Sequence, residues 1–213
     1  MSLFHSLLLR LYEALTREDA VQTADMIFVF AGRMERKEYG LELFRSGMSE
    51  CLVLSVGRFE VRKMRNLDLE GSDELMAMRD QTPPARRHFF VKVDAAGVRI
   101  ERAELQNGGT YWEALALRKL LEQKKARRVI VVSTDVHLRR VSLSLAKVCR
   151  GLAVEFFYCP VPSRLGFFKK ESWWIRRDDR RFVLHEAMKL AAYYVILSLP
   201  AKLAYSIMQL NHD

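Results

Sequence analysis

The amino-acid sequence predicts an α/β protein, a Rossmann-like three-layer α/β/α sandwich with a mostly parallel sheet and extra terminal helices. Three observations predict it. Short unbroken apolar runs recur at Met26–Ala31, Cys51–Val56, Val129–Ser133 and Ala153–Tyr158, as expected of strands covered on both faces of a parallel sheet. Segments of helical periodicity separate them, so strand–helix–strand units repeat along the chain. The 213 residues suit one such domain, and half are hydrophobic, enough to bury a core and to exclude a disordered chain.

Residues 1–20 carry Leu3, Leu7, Leu8, Leu11 and Leu15 at helical spacing. This reads as an amphipathic helix rather than a signal peptide, because Arg10 interrupts the apolar stretch and no small-residue cleavage site follows. It is expected to pack on the domain, with membrane-surface contact as the alternative. The first strand stops at Gly32. A helix over 34–47 follows, with Tyr39, Leu41, Leu43 and Phe44 as its apolar positions and Gly47 as its stop. The second strand ends in Gly57. Glu70–Asp80 reads as a short helix capped by Ser72 and closed by Pro83-Pro84. His88–Val93 and Val98–Leu105 read as strands around Asp94–Gly97, either as a hairpin or with the second joining the main sheet alone.

The loop Gln106–Gly109 leads into a helix for which Thr110 is the expected N-cap, with Glu113 at capping-box spacing. After the Val129–Ser133 strand, a helix with Leu143, Leu145, Ala146 and Val148 ends near Gly151. Pro160 and Pro162 leave the last strand. A single domain over 1–213 is expected, with its core at about 24–158 and a basic, aromatic segment plus C-terminal helices over 163–213. Leu190–Leu199 is nearly all apolar but only half of the roughly twenty residues that span a bilayer. A buried, Pro-kinked terminal helix beginning near Arg181 is expected, with monotopic or dimerising contact open.

Lys plus Arg is 35 and Asp plus Glu is 26, a formal charge of +9, which favours anionic partners. Cys51, Cys149 and Cys159 are sparse and odd in number, which argues against a disulfide framework and fits a reducing cytoplasm. A cytoplasmic protein, peripheral to the inner face of the membrane if the terminal helices touch lipid, is the expected location. No CxxC or HExxH spacing occurs, so no metal site is expected.

Ligands of open α/β sheets bind beyond the carboxyl ends of the strands. The residues there are Gly32, Arg33 and Arg36 after the first strand, and Ser55, Gly57 and Arg58 after the second. Asn107, Gly108, Gly109, Thr110 and Glu113 open the long helix. Ser133, Thr134, Asp135, His137, Arg139 and Arg140 follow the Val129–Ser133 strand. Small residues admit an anion to the backbone, helix N-termini point N–H groups at it, and arginines add charge-assisted bonds. Neither a Walker A loop nor G-x-G-x-x-G is present. His137 and Arg140 stand three residues apart at a helix opening, so both can face the sheet edge, His137 as acid, base or phosphate donor and Arg140 as clamp.

Phe28-Val-Phe-Ala-Gly32-Arg33, Leu52-Val-Leu-Ser55-Val56-Gly57, Thr110-Tyr-Trp-Glu113-Ala114 and the Val131–Arg140 block come in an order that resembles the YdcF-like family of SanA- and ElyC-type envelope proteins. The resemblance covers about 24–157. It implies a Rossmann-like fold with a ligand site at the strand ends, a role in bacterial envelope and peptidoglycan maintenance, and S-adenosylmethionine as a cofactor to consider. Carried over by motif, the site comprises Gly32, Arg33 or Arg36, Ser55, Gly57, Thr110, Glu113, Ser133, His137 and Arg140, with Glu186 on a late helix as a further residue expected to face it. Two positions depart from the family pattern: Val56 stands where a glycine is usual, and Ala114 where an asparagine is.

Arg118–Arg128 and Ser163–Arg181 are basic, the second with Phe167, Phe168, Trp173 and Trp174 interleaved. The first reads as a solvated helix face, whereas the second could cover the pocket or meet membrane phosphate. The function expected is binding of an anionic or nucleotide-like small molecule. The alternative is a phosphate or pyrophosphate hydrolase or transferase using His137 and Arg140. Nucleic-acid binding has no recognised motif behind it.

Overall fold

The computed structural model describes residues 3–105, 109–166 and 169–210. Gln106, Asn107, Gly108, Phe167 and Phe168, named above, lie outside the described residues.

Strand β1 (Met26–Val29) lies in the middle of a six-stranded sheet of order β4-β3-β2-β1-β5-β6. β2 (Leu52–Gly57) and β5 (Arg128–Ser133) pair with it in parallel, and β6 (Glu155–Pro160) pairs in parallel with β5. β3 (His88–Asp94) runs antiparallel to β2, and β4 (Gly97–Arg102) antiparallel to β3. Of the two arrangements left open by the sequence, the hairpin forms.

The side chains of β1 alternate between two cores. Met26 and Phe28, with Phe30 beyond, share one with α4 (Thr110–Lys124) and α5 (Asp135–Val148). Ile27 and Val29 share the other with α2 (Met34–Arg45), the 3₁₀ turn Val61–Asn66 and α3 (Ser72–Gln81). Each fully buried Val, Ile, Leu or Phe contributes about 1.5–3 kcal/mol, and a strand that serves both faces has no position for a polar residue. The helices therefore form two layers around the sheet. Gly40 lets α2 approach β1 closely, since a Cβ there would lie 2.3 Å from Val29 Cγ2.

A third core joins α1 (Leu3–Leu15), α5 and α6 (Arg177–Ser198) through Tyr12, Leu15, Val136, Trp173, Val183 and Leu190. The helix α7 (Ala201–Leu210) reaches α4 through Trp112 and Tyr205, whose ring centroids lie 5.2 Å apart. Asp19 covers the free edge of β6, its N–H donating to Tyr158 O and its carboxylate accepting from Tyr158 N–H, each at 2.9 Å.

Several local expectations are corrected. The residues before α3 and α4 are Gly71 (φ 85°) and Gly109 (φ 123°), so neither Ser72 nor Thr110 is the cap. The backbone at both positions is one that glycine adopts without strain, and the Thr110 hydroxyl is released for other bonds. α6 starts one turn earlier than expected. Pro200 separates α6 from α7 instead of kinking one helix, and Tyr194 and Val195 are exposed rather than buried. The three cysteines are free and buried. Among the described residues, no helix is long and apolar enough to cross a membrane.

Candidate functional site

The sheet changes direction of growth at β1, with β2 on one side and β5 on the other, so a crevice is expected outside the carboxyl ends of these strands. A cleft of about 930 Å³ opens on the β2 side. Ala31, Gly57, His88 and Glu113 belong to its lining. Arg58 and Phe59 follow β2, Ala85–Arg87 precede β3, Arg102–Leu105 leave β4, and Gly109 and Lys119 belong to α4 and its approach. Five cations (Arg58, Arg86, Arg87, Arg102, Lys119) thus face two carboxylates (Glu104, Glu113). Phe59 is 78% exposed, and the Arg58 guanidinium lies 4.5 Å from its ring centroid. Arg87 Nε is held by Arg79 O (3.0 Å) and Thr82 O (2.8 Å), which fixes the guanidinium's placement.

Glu113 is fixed from the first turn of α4. Its Oε1 accepts from the Ala31 N–H at 2.8 Å and from the Ser55 hydroxyl at 2.6 Å. No hydrogen bond to Oε2 occurs among the described residues. The antiparallel register sets Gly57 opposite His88 and Ser55 opposite Phe90, and brings His88 Nε2 to 2.7 Å from Ser55 Oγ. Ser55 has one proton and gives it to Glu113, so His88 donates from Nε2. Burial lowers the His88 pKa, consistent with a neutral ring. The arrangement orients a carboxylate and leaves the serine hydroxyl unactivated.

Glu60 occupies the N–H groups that a ligand anion would otherwise meet at the ends of β1 and β2. Its Oε1 accepts from Gly32 N–H at 2.6 Å and Gly57 N–H at 3.3 Å. Its Oε2 pairs with Lys37, which is fully buried and also donates to Phe30 O at 3.2 Å. Burial raises the Glu60 carboxyl and lowers the Lys37 ammonium, and each partner restrains the other's shift. Arg36 lies directly over Gly32: a Cβ on Gly32 would stand 2.7 Å from Arg36 Nη1. Arg36 donates to Ala31 O and, at 2.9 Å, to Thr134 Oγ1.

His137, Arg140, Thr110 and Glu186 form a second buried network under α6. Arg140 grips Glu186 through Nε (3.2 Å to Oε2) and Nη2 (2.8 Å to Oε2, 3.1 Å to Oε1), and donates through Nη1 to Thr110 Oγ1. Burial and the Arg140 charge push the His137 pKa down to about 3, so the ring is neutral near pH 7. His137 Nδ1 lies 3.2 Å from Glu186 Oε2 and 2.9 Å from Arg140 Nη2, and its Nε2 lies 3.4 Å from Thr110 Oγ1. Burial works to raise the Glu186 carboxyl, but the hydrogen bond from His137 and the Arg140 guanidinium hold it below the usual carboxylate range. Here the buried cations Arg36, Lys37 and Arg140 are matched by Glu60, Glu186 and Glu113, the last shared with the cleft lining. Ser133 Oγ is buried without a hydrogen-bond partner among the described residues.

Of the residues named from sequence, Gly57, Arg58, Gly109 and Glu113 line the cleft. Ser55 and Gly32 lie just behind it through Glu113 and Glu60. Arg36, Thr110, Ser133, His137 and Arg140 belong to the buried polar layer instead. Arg33 sits with its guanidinium 5.4 Å from the Phe182 ring and 3.8 Å from Glu35 Oε1. His88, Glu60, Lys37 and Arg102 were not singled out by the sequence. Only the β2–β3 register could have called attention to His88, and that depends on the hairpin. Among the described residues, no group of three or more His, Cys, Asp or Glu side chains is placed to hold a metal. A scan against protein-family models, a search of the curated proteins and a search of the solved structures return no match.

Proposed function

We propose that the protein binds an anionic, nucleotide-like small molecule in the cleft beyond β2, β3 and β4. The observation that carries this reading is the lining, with five cations against two carboxylates around about 930 Å³, a volume in the range of small-molecule sites. Guanidinium groups suit phosphate because they offer paired donors. Phe59 at the rim supplies a face on which a planar ring can stack.

S-adenosylmethionine shares the adenosine of a nucleotide but carries a net positive charge. The charge of the lining therefore favours a nucleoside di- or triphosphate over it. The resemblance to YdcF-like proteins supplies the setting proposed for this binding, bacterial envelope maintenance from the cytoplasmic side. The free, buried cysteines are in keeping with that compartment. If the bound phosphoester is turned over, Glu113 is the residue to accept a proton, because its Oε2 is uncommitted. His137 and Arg140 are spent on Glu186 and Thr110.

Isothermal titration with ADP, ATP, inorganic phosphate and S-adenosylmethionine tests the reading. ADP or ATP is expected to bind more tightly than S-adenosylmethionine, and the Arg86→Ala and Arg102→Ala variants are expected to weaken that binding. Absence of binding by any of the four, or binding indifferent to both substitutions, would overturn it.

A further inference from the structure

We propose that the outer face of α1 and α6 docks on the surface of an anionic lipid bilayer. Among the described residues, ten large hydrophobic side chains are exposed, and all except Phe59 belong to α1, α6, α7 or the residue pair before α6. On α6 they make a stripe. Leu184, Met188 and Val195 follow at helical intervals with Ala191 between them, and Met188 and Val195 are 64% and 65% exposed. The opposite side of the helix is committed to the interior through Val183, Glu186 and Leu190. Leu3 and Leu7 add exposed apolar surface on α1, which packs beside α6.

Charge decides the partner. The stripe continues toward the start of α6 as Arg177 and Arg181, with Arg180 beside them, all exposed. Such an order fits a helix lying in the plane of an interface, its guanidiniums at the phosphate level and its apolar two-thirds in the acyl boundary. Trp174, half-buried with its ring centroid 5.6 Å from that of His5, stands where interfacial tryptophans collect. No described helix can span the membrane, so contact along the surface is the available mode. A second copy would fit this face poorly. Two-fold symmetry would lay one copy's arginines on the other's apolar row and bury charge without a partner.

Vesicle flotation of the full chain tests the proposal, with phosphatidylcholine alone and with phosphatidylcholine mixed with phosphatidylglycerol. The protein is expected to float with the mixed vesicles, to stay behind with phosphatidylcholine alone, and to be released by salt. The double variants Met188→Asp with Val195→Asp, and Arg177→Gln with Arg181→Gln, alter exposed positions and so keep the fold, as circular dichroism would check. Each is expected to lower partition onto mixed vesicles by about tenfold or more. Failure of the wild type to float with either composition would overturn the proposal. So would equal flotation with both, or variants that float like the wild type. A concentration-dependent dimer broken by the Met188/Val195 variant, without vesicle binding, would assign the face to self-association instead.

Discussion

Arg102 and Arg140 lie on the two sides of β1 at the carboxyl edge of one sheet, and their surroundings differ in a way the net charge does not reveal. Arg140 is buried, wrapped around Glu186 and bonded to Thr110. Lys37 and Arg36 beside it are buried too, facing Glu60 and the backbone carbonyls of Phe30 and Ala31. The cleft on the other side keeps its cations exposed or half-buried, with three more of them than carboxylates. A buried cation is retained only with a matching anion, because desolvation costs several kcal/mol per ion. The buried region therefore neutralises itself and ties α6, α5, α4 and the strand ends together. The cleft has charge left over for a ligand. Availability of a cation, rather than its nearness to a strand end, marks the binding side.

Substitutions that break the buried pairs sharpen this contrast most. Glu60→Ala leaves Lys37 buried without its carboxylate, and Glu186→Ala does the same to Arg140. Each is expected to destabilise the fold by about 3–5 kcal/mol, which for a chain of this size lowers the unfolding midpoint by roughly 6–20 °C. Differential scanning calorimetry reads that shift. A midpoint unchanged in both variants would mean that the network is not buried as described.

Cleft substitutions should show the reverse pattern. Arg86→Ala and Arg102→Ala are expected to change stability by no more than about 0.5 kcal/mol. Each is expected to weaken ADP binding by about tenfold, the worth of one charge-assisted hydrogen bond. A cleft variant that unfolds early but binds normally would erase the distinction.

Acidification gives a graded test. His137 is neutral in the folded state down to about pH 3, while in the unfolded chain it takes up a proton near pH 6.5. Between these values the unfolded state binds the extra proton, so stability falls as pH drops, by up to about 1.4 kcal/mol per pH unit from this one group. His137→Gln is expected to flatten that part of the stability–pH curve. An unchanged slope would contradict the neutral, buried assignment.

A local test concerns the contact between α1 and α5. Tyr12 donates its hydroxyl to Asp135 at the start of α5. Tyr12→Phe removes that donor and is expected to cost about 1–3 kcal/mol, the penalty for leaving a partly buried acceptor unpaired. Urea titration measures it. A Tyr12→Phe midpoint equal to the wild type would show that this hydrogen bond adds nothing to the hold on α1.

The sheet was legible in the sequence because burial on both faces demands unbroken apolar runs. Met26–Val29, Leu52–Val56 and Val129–Val132 leave no other reading. The polar edge was legible too, since Gly32, Ser55, Gly57, Glu113 and Ser133 all end or face strands. The partition of that edge into a neutralised interior and an open cleft was not. It depends on which carboxylate meets which cation, and Glu60 reaches Lys37 only because the turn after β2 folds back over α2. The N-terminal residues of α3 and α4 misled for a similar reason. Ser72 and Thr110 have the side chains of caps, but a glycine in each case supplies the turn into the helix, and Thr110 is drawn to Arg140.

Calorimetric titration of ADP into three proteins separates the cleft from the buried layer as the ligand's place: the wild type, Arg86→Ala with Arg102→Ala, and His137→Gln. Binding in the cleft predicts an affinity lowered by about a hundredfold in the double variant, the product of two charge-assisted bonds, and unchanged in His137→Gln. Affinity retained in the double variant and lost in His137→Gln would place the ligand in the buried layer and contradict the account.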